Sequence, residues 1–200
     1  MVSFPHMSNE TKNSVESPEQ IIEKAAAAIL SLHQVLPEIQ EAIIRFVATL
    51  EAGNKILTAG NGGSAAEAMH MAEELSGRYK NNRRALPAIA LTADGTALTC
   101  IANDYGFDQV FSRQIEAFGK PGDLLVLFSS SGNSVNLVEA TRQAHSQGMH
   151  VLSLLGHGGG KMHGLSDIEI TIPETASAHV QEAHQVILHL LLEHVDARFV

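Results

Sequence analysis

The stretch Lys55-Ile-Leu-Thr-Ala-Gly60-Asn-Gly-Gly-Ser64 decides the fold class of this 200-residue chain. A short and mostly apolar run, too brief for a helix of its own, leads into a glycine-rich turn. An alanine-rich segment with helical character follows, near 64–80. This order is typical of a buried strand in a parallel sheet that turns directly into a helix. We therefore interpret the stretch as one β–turn–α unit.

The same pattern recurs along the chain. Short apolar runs alternate with helical segments, which predicts an α/β fold, a doubly wound parallel sheet with helices on both faces. The expected strands cover 55–59, 88–91, 124–128, 151–155 and 168–172. The expected helices lie near 64–80, 96–103, 111–118, 135–147 and 177–196.

Two more helices are predicted ahead of the first strand, as a helical pair over 17–53. Ser17-Pro18-Glu19-Gln20 is a capping box with proline at the first helical position, and it begins the first helix. The second helix starts near Pro37, and Gly53 stands where a helix stop is expected. We expect residues 1–16 to be a flexible tail and 17–200 to be a single domain. The pair either covers the sheet or contacts another subunit.

Composition excludes some classes of protein. Lys and Arg total 13 against 22 Asp and Glu, and the net charge of -9 disfavours nonspecific binding to nucleic acid or an anionic membrane. Cys100 is the single cysteine, so no internal disulfide is possible. The N-terminal segment is polar and has no apolar stretch of the kind a signal peptide needs. We therefore expect a cytoplasmic protein.

Two loops that follow predicted strands can surround an anion. The glycine loop, Gly60-Asn61-Gly62-Gly63-Ser64, lets backbone amides approach a ligand at a helix start. The serine loop, Ser129-Ser130-Ser131-Gly132-Asn133-Ser134, places four hydroxyls and one glycine in six positions. Parallel strands end at one edge of their sheet, so the two loops should be neighbours. One would hold a phosphate and the other the hydroxyls of a sugar.

Each loop also has a simpler interpretation. Ser64-x-x-Glu67 is an ordinary capping box, and most serine-rich loops are solvated turns. Gly60-x-Gly62-x-x-Ala65, with Asp94 after the next strand, also matches the dinucleotide fingerprint. A third loop, His157-Gly158-Gly159-Gly160-Lys161, is interpreted as a flexible connection.

Polar residues form stripes on two otherwise apolar helices. His70 and Glu74 lie one turn apart on one face of the first helix, and Arg78 continues the row. On the C-terminal helix, Gln181 and His189 fall within roughly 80° of each other. A buried helix with a polar arc needs partners for that arc, although an exposed face of i,i+4 pairs explains the first stripe equally well. His184 points away from the arc.

These residues carry a family resemblance. Gly60-Asn-Gly-Gly-Ser-Ala-Ala-Glu-Ala-Met-His70-Met-Ala-Glu-Glu74-Leu-Ser-Gly-Arg78-Tyr resembles the phosphoheptose isomerases, which have the SIS (sugar isomerase) fold, a flavodoxin-like three-layer sandwich. So do Ala102-Asn103-Asp104-Tyr105-Gly106-Phe107, the serine loop, and Val180-Gln181-Glu182-Ala-His184. The resemblance runs from about residue 18 to the C-terminus. It implies conversion of sedoheptulose 7-phosphate to D-glycero-D-manno-heptose 7-phosphate for the lipopolysaccharide core, by a homotetramer with active sites between subunits.

The resemblance also implies a role for each residue that matches the family's motifs. Glu74 would be the catalytic base and His189 the acid. Zinc would be bound by His70, Glu74, Gln181 and His189. Phosphate would be held by Ser129, Ser130, Ser131 and Ser134. The sugar would contact Asn61, Gly62, Gly63, Ser64, Glu74, Arg78, Asn103, Asp104 and Gln181.

Two positions depart from the family pattern. Ser130 stands where threonine is common, which keeps a hydroxyl donor. His179 stands where arginine is common, which puts one substrate contact in doubt. The main alternative is a non-catalytic SIS-fold protein, a sugar-phosphate sensor or a protein that binds the replication initiator. A dinucleotide oxidoreductase is the third possibility.

Overall fold

Five short apolar segments form one parallel sheet in the computed structural model, which describes residues 15–200. The strand order is β2-β1-β3-β4-β5. This order means that the chain moves to one side of β1 and then crosses to the other, so the β1/β3 boundary is the topological switch point. The bounds are β1 Ile56–Gly60, β2 Ala88–Ala90, β3 Leu124–Ser129, β4 His150–Leu155 and β5 Ile168–Thr171.

The helices confirm the predicted alternation. Within residues 15–200, none of them is long and apolar enough to cross a membrane. Three 3₁₀ turns, at Ser31–Val35, Phe107–Gln109 and His157–Met162, connect elements. The α-helices are α1 Pro18–Leu30, α2 Leu36–Glu51, α3 Gly63–Ser76, α4 Gly95–Tyr105, α5 Ser112–Phe118, α6 Val135–Ser146 and α7 Ser177–Phe199.

The sheet is buried on both faces, which gives the three-layer sandwich. Along β3, Leu124, Val126 and Phe128 belong to a core shared with α2, α3 and α7. Leu125 and Leu127 belong to a second core shared with α5 and α6. Alternate side chains of a strand point to opposite faces, so a strand covered on both sides must be apolar throughout. This requirement explains why the strands are continuous apolar runs in the sequence.

The N-terminal helices begin and end as predicted. The Gln20 backbone N–H donates to Ser17 Oγ and the Ser17 N–H donates to Gln20 Oε1, so both halves of the capping box are present. Gly53 follows α2 with a φ of 80°, a backbone conformation that favours glycine. Phe46 and Leu50 of α2 are fully buried against the sheet, so α2 covers it, while α1 packs against α7. Of the predicted tail 1–16, only residues 15 and 16 lie within the described part of the chain.

Helix α3 ends earlier than the sequence predicted, at Ser76 and not near residue 80. Gly77 caps the helix by donating its N–H to Glu73 O, and the chain then turns away. Arg78 therefore lies beyond the helix and does not continue the stripe of His70 and Glu74. The prediction of a row of three was wrong because it assumed that the helix runs on.

A buried ion pair fixes the end of α3 against α7. The Arg83 side chain donates from Nε to Asp196 Oδ1 at 2.9 Å and from its two terminal nitrogens to the carbonyl oxygens of Leu75 and Glu74, at 2.9 and 2.8 Å. The backbone N–H groups of Lys80 and Asn81 donate to Asp196 Oδ2 at 3.0 and 2.9 Å. Both charged side chains are almost fully buried, at 0% and 2% exposure. We call this arrangement the arginine clamp.

The clamp lowers the pKa of the Asp196 carboxyl. Burial acts in the opposite direction and raises the pKa. The backbone donors at Asn81 and Lys80, together with the Arg83 guanidinium, outweigh burial. A carboxyl with a lowered folded-state pKa stabilises the fold above its ordinary pKa, and this contribution is lost as the pH falls through the folded value.

We expect Asp196→Asn to lower the free energy of unfolding by about 3–5 kcal/mol, because it leaves the buried Arg83 guanidinium without its counter-charge. Chemical denaturation at neutral pH measures the difference. Glu51→Gln is the matched control, since it breaks the exposed Arg198–Glu51 pair between α7 and α2 and should cost about 1 kcal/mol or less. The difference in the free energy of unfolding between wild type and Asp196→Asn should become smaller at strongly acid pH, because Asp196 is then protonated in the wild type as well. Equal losses for both variants would contradict the clamp.

Candidate functional site

The site lies at the carboxyl ends of β1 and β3, where the strand order reverses. The glycine loop leaves β1 and leads into α3, and the serine loop leaves β3 and leads into α6. Since β1 and β3 are paired in the sheet, with Gly60 beside Phe128, the two loops are neighbours as predicted. Open α/β sheets bind ligands in this crevice.

A small polar cavity lies between the two loops. Its volume is about 190 Å³. It is lined by Asn61, Ser64, Phe128, Ser129, Ser130, Ser131 and Ser134. Four of the lining residues are the predicted phosphate-binding serines, so the structure brings all four together. Hydroxyl groups and helix N-termini are suitable donors for a phosphate.

Both helices that begin at this cavity lack a side-chain cap. Gly62 is the N-cap of α3 and has no side chain that could accept a hydrogen bond. Ser134 is the N-cap of α6, and its side chain accepts none from the first turn. The interpretation of Ser64 and Glu67 as a capping box is therefore wrong. Ser64 is the second residue of α3, and its buried side chain lines the cavity. The N–H groups of Ser64, Ala65 and Leu137 donate to the backbone oxygens of Asn61, Gly62 and Ser134, so a ligand here would meet the positive ends of the two helices and the serine hydroxyls.

The third loop supports the serine loop. The backbone N–H of Met162 donates to Gly132 O at 2.9 Å, and that of Lys161 donates to Asn133 Oδ1 at 3.2 Å. Gly132 has a φ of 63°, and a Cβ there would lie 2.0 Å from Gly159 O, so only glycine fits. The glycines of the third loop therefore pack closely against the backbone of the serine loop. The sequence analysis interpreted the third loop only as a flexible connection and did not predict this contact.

The two predicted sugar-contact regions behave differently. Asn61 lies at the cavity, and its amide exchanges two hydrogen bonds with the buried Asn136 amide, at 3.0 and 2.9 Å. Asn103 and Asp104 are exposed at the end of α4, where Asn103 Nδ2 donates to Asp104 Oδ1 at 2.7 Å. They line neither this cavity nor the adjoining one of about 330 Å³, to which Phe107, Asp108 and Val135 contribute.

Three of the four predicted zinc ligands lie together between α3 and α7. His70 Nε2 is 3.3 Å from Glu74 Oε1, on one face of α3. The His189 ring of α7 approaches the His70 ring edge-on, with 5.4 Å between ring centroids. On the other side, the Tyr79 ring stacks on His189 at 5.9 Å. The two polar stripes do face each other, as the sequence analysis required.

Gln181, the fourth predicted ligand, does not contact this group directly. Its side chain lies against Gly63, where a Cβ would come within 2.5 Å of Gln181 Nε2. The residue between the imidazoles is Gln185, whose Nε2 is 2.6 Å from His70 Nδ1 and 3.4 Å from His189 Nε2. Gln181, Gln185 and His189 share one cleft of about 610 Å³. Because Gln181 lies against Gly63, the cleft extends from beside the glycine loop to His189.

The surroundings of His189 favour its neutral form. Burial lowers the pKa of the imidazole, and the neighbouring His70 lowers it further, while Glu74 and Glu193 act in the opposite direction. At neutral pH the ring therefore has one N–H and one lone pair. A neutral imidazole can donate to one oxygen or accept a proton from another, and its lone pair can also bind a metal.

The donor set fits a divalent cation. One ligand atom from each of His70, Glu73 and Glu74 lies within 4.8 Å of the others. His189 adds a second imidazole on the opposite helix. Imidazole nitrogen and carboxylate oxygen are the donors that zinc accepts in proteins.

A second polar pair lies deeper between the same helices. Glu67 of α3 and His184 of α7 are both buried, with His184 Nδ1 3.9 Å from Glu67 Oε2. Among residues 15–200, neither ring nitrogen of His184 and neither carboxylate oxygen of Glu67 has a hydrogen-bond partner. Glu67 also lines the cleft that contains Gln181. His184 is thus buried behind the site, while His179 at the start of α7 bonds to Glu182 Oε2 at 2.8 Å.

Several residues of the site were missed by the sequence analysis, and two of them had a local signal. Gln185 is four residues after Gln181 and four before His189, so it lies midway along the same helical stripe. Glu73 is three residues after His70 on α3, a spacing that makes the two side chains neighbours. The remaining residues meet the site through tertiary contacts, and they are Glu67, Tyr79, Asn136 and Glu193.

Known proteins match most of the chain in sequence. Residues 20–156 match the family model of the SIS domain. The phosphoheptose isomerase of Campylobacter concisus is 52% identical over 151 residues, which are 76% of this chain and 80% of that protein. The phosphoheptose isomerase of Rhodospirillum rubrum is 47% identical over 167 residues, 84% of this chain and 89% of that protein.

Solved structures agree with these sequence matches. A phosphoheptose isomerase structure from Neisseria gonorrhoeae superposes with a TM-score of 0.81 and 39% identity, covering 90% of this chain and 98% of that one. One from Francisella tularensis gives a TM-score of 0.82 and 36% identity, covering 90% and 96%. On its sequence, its fold and the arrangement of its site, the chain belongs to the phosphoheptose isomerases of the SIS domain family.

Proposed function

We propose that this chain interconverts sedoheptulose 7-phosphate and D-glycero-D-manno-heptose 7-phosphate, supplying heptose for the lipopolysaccharide core, with Glu74 and His189 as the proton-transferring groups. The observation that carries the assignment of residues is the position of this pair. His189 lines a cleft that is also lined by Gln181, the neighbour of Gly63 in the glycine loop, and Glu74 and His70 lie beside His189 on the facing helix. A phosphate in the serine-lined cavity would leave the reacting end of the sugar to extend toward them.

The serine cavity binds the phosphate. Its lining is mostly hydroxyl groups, and two helix N-termini without side-chain caps open into it. Partial positive charge at a helix N-terminus favours an anion, and this local effect operates in spite of the chain's net charge of -9. Two hydrogen bonds to Asn136 hold the Asn61 amide in place at the wall of the cavity, where the sugar would join the phosphate.

The reaction moves one proton between adjacent carbons. From the ketose to the aldose, Glu74 takes the proton from C1 while the C2 oxygen gains one, which gives the ene-diol. The O1 proton then leaves, and Glu74 returns a proton to C2, which gives the aldose. His189 is neutral and half-buried, so it can give a proton to one oxygen and take one from the other. The chain gains and loses no proton overall.

A zinc ion fits beside these groups. His70, Glu74 and His189 would hold it, and Gln181 would join them if its side chain turned from Gly63 toward His70. When bound, zinc would polarise the substrate carbonyl as a Lewis acid. Glu74 would then share its two oxygens between the cation and the carbon proton.

The alternative is a non-catalytic phosphosugar-binding protein of the same fold. Such a protein needs the two loops but has no use for a carboxylate and an imidazole at the reacting end of the sugar. The placement of Glu74 next to the histidine pair, with His189 lining the cleft, favours the enzyme.

We expect Glu74→Gln to lower kcat by about 100-fold or more, because the amide cannot accept the carbon proton. Proton NMR with sedoheptulose 7-phosphate in deuterated water measures turnover and the entry of deuterium at the reacting carbon. Glu116→Gln on α5, an exposed position distant from the cleft, is the control and should leave turnover unchanged. Near-normal turnover by Glu74→Gln would remove Glu74 as the base. Saturable binding without turnover by the wild type would favour the non-catalytic alternative.

We expect Ser130→Ala to raise KM by about 10-fold or more while kcat changes little, because one hydrogen bond to a charged phosphate is lost. Ser146→Ala, an exposed serine on α6, should leave KM unchanged. Steady-state kinetics with the phosphorylated sugar provide both constants. A large fall in kcat with KM unchanged would place Ser130 at the reacting end and not at the phosphate.

A homotetramer with sites between subunits is the assembly we propose. Large apolar side chains are exposed on the two N-terminal helices, among them Ile22 at 67%, Leu30 at 64% and Ile44 at 71%. Large apolar side chains that are exposed on adjacent helices favour an interface between proteins. Asn103 and Asp104, which line neither cavity of their own chain, are exposed and available to a neighbouring subunit.

We expect the double variant Ile22→Glu/Ile44→Glu to sediment as a smaller species than the wild-type tetramer, since it places charges on the apolar face. Sedimentation velocity measures the assembly, and isomerase activity should fall together with it. Phe118→Glu on α5 is the control, because this residue is exposed on the opposite side of the sheet. A monomeric wild type that is fully active would overturn the proposed assembly.

A further inference from the structure

The Gln185 carboxamide lies between the two imidazoles of the site. Its Nε2 is 2.6 Å from His70 Nδ1 and 3.4 Å from His189 Nε2. Gln185 is on α7 and His70 is on α3, so this contact is a direct polar link between the two helices at the centre of the site. Tyr79 closes the far side of His189 by stacking on it.

The direction of these hydrogen bonds determines where the His70 proton is. An amide N–H can only donate, so His70 Nδ1 must accept from Gln185 Nε2. In the neutral ring the proton is then on Nε2, which faces Glu74 Oε1 at 3.3 Å. His70 Nε2 therefore donates to Glu74 and has no free lone pair toward the shared space.

A rotation of the carboxamide that exchanges Oε1 and Nε2 reverses the direction of the hydrogen bond to His70. With Gln185 Oε1 toward His70, the Nδ1 atom must carry the proton and donate it to the amide oxygen. The lone pair of Nε2 then faces the space beside the Glu74 carboxylate. This is the form in which a histidine binds a cation, with its other ring N–H given to an oxygen acceptor.

We propose that Gln185 is a positioning residue that sets the tautomer of His70. Its amide group donates to Nδ1 when the site is free, and its carbonyl oxygen accepts from Nδ1–H when His70 Nε2 binds a divalent cation. Gln185 is not one of the four proposed ligands. It acts on the cation only indirectly, through its hydrogen bonds to the two imidazoles. The inference rests on the proposed site of His70, Glu74, Gln181 and His189.

The other stripe residue cannot take this role. Gln181 lies against Gly63, one helical turn further toward the N-terminus of α7. Glu182 is also displaced, because its carboxylate bonds to His179. Gln185 alone among these side chains is in contact with His70 and His189 together.

The experiment compares wild type with Gln185→Glu and Gln185→Leu, all stripped of metal by a chelator. Nitrogen-15 histidine NMR at mildly alkaline pH determines the His70 tautomer, whose signals are identified by their loss in His70→Asn. Wild type should show the proton on Nε2. Gln185→Glu can only accept, so it should move the proton to Nδ1. Leucine can neither donate nor accept a hydrogen bond, so Gln185→Leu should leave a mixture of the two His70 tautomers.

Zinc binding is measured on the same proteins by competition with a chromophoric chelator. We expect Gln185→Leu to bind zinc about 10–100-fold more weakly, the usual effect of losing a hydrogen bond to a ligating histidine, and Gln185→Glu to bind at least as tightly as wild type. Gln143→Leu on α6, on the opposite side of the sheet, is the matched control and should bind normally.

The same tautomer and the same zinc affinity in all proteins would overturn the role of Gln185. If Gln185→Leu does not fold, the tautomer in Gln185→Glu decides, since a proton that stays on Nε2 contradicts the proposal. The proposed function fails separately, if wild type neither binds zinc nor isomerises the sugar. In that case the tautomer readout still tests Gln185.

Discussion

The arginine clamp is the constraint on which the geometry of the site depends. The reacting groups come from two helices, α3 and α7, that are far apart in the sequence. The Arg83 guanidinium binds the carbonyl oxygens of Glu74 and Leu75 on α3 and the carboxylate of Asp196 on α7. The helix end that carries Glu74 is thereby fixed relative to the helix that carries His189. A buried charge pair of this kind needs all its hydrogen bonds, and the clamp has them.

The fold follows from local sequence patterns to a large extent. Buried strands such as 124–128 are apolar on both faces, and the capping box at Ser17 and the glycine at 53 mark helix boundaries that the structure confirms. The end of α3 was mispredicted because the helical pattern was carried past Gly77, which ends the helix. Arg83, eight residues after Leu75 and nine after Glu74, then binds the last carbonyl oxygens. A pattern of local periodicity contains no information on such a contact.

The site was predictable to the extent that it lies on regular elements. Parallel topology alone brings the glycine and serine loops to one edge, so the serine-lined cavity could be expected from the sequence. Helical periodicity predicted that His70 and Glu74 share one face of α3 and that His189 lies on the polar arc of α7, and the structure places these faces against each other. Whether Gln181 or Gln185 lies between the imidazoles depends on side-chain rotamers and on the space beside Gly63, which the Gln181 side chain fills. These are properties of the packed structure. Ser64 was assigned as a possible cap because its sequence context suits both roles.

The buried pair of Glu67 and His184 has a consequence for the evolution of the protein. Its four polar atoms have no hydrogen-bond partner within residues 15–200, and buried polar groups lower the stability of the fold unless a water or a ligand supplies the missing hydrogen bonds. Apolar replacements of similar volume would relieve this cost. A selection for thermal stability alone should therefore accumulate substitutions at these two positions first. A lineage that keeps both residues has been selected for something other than its melting temperature.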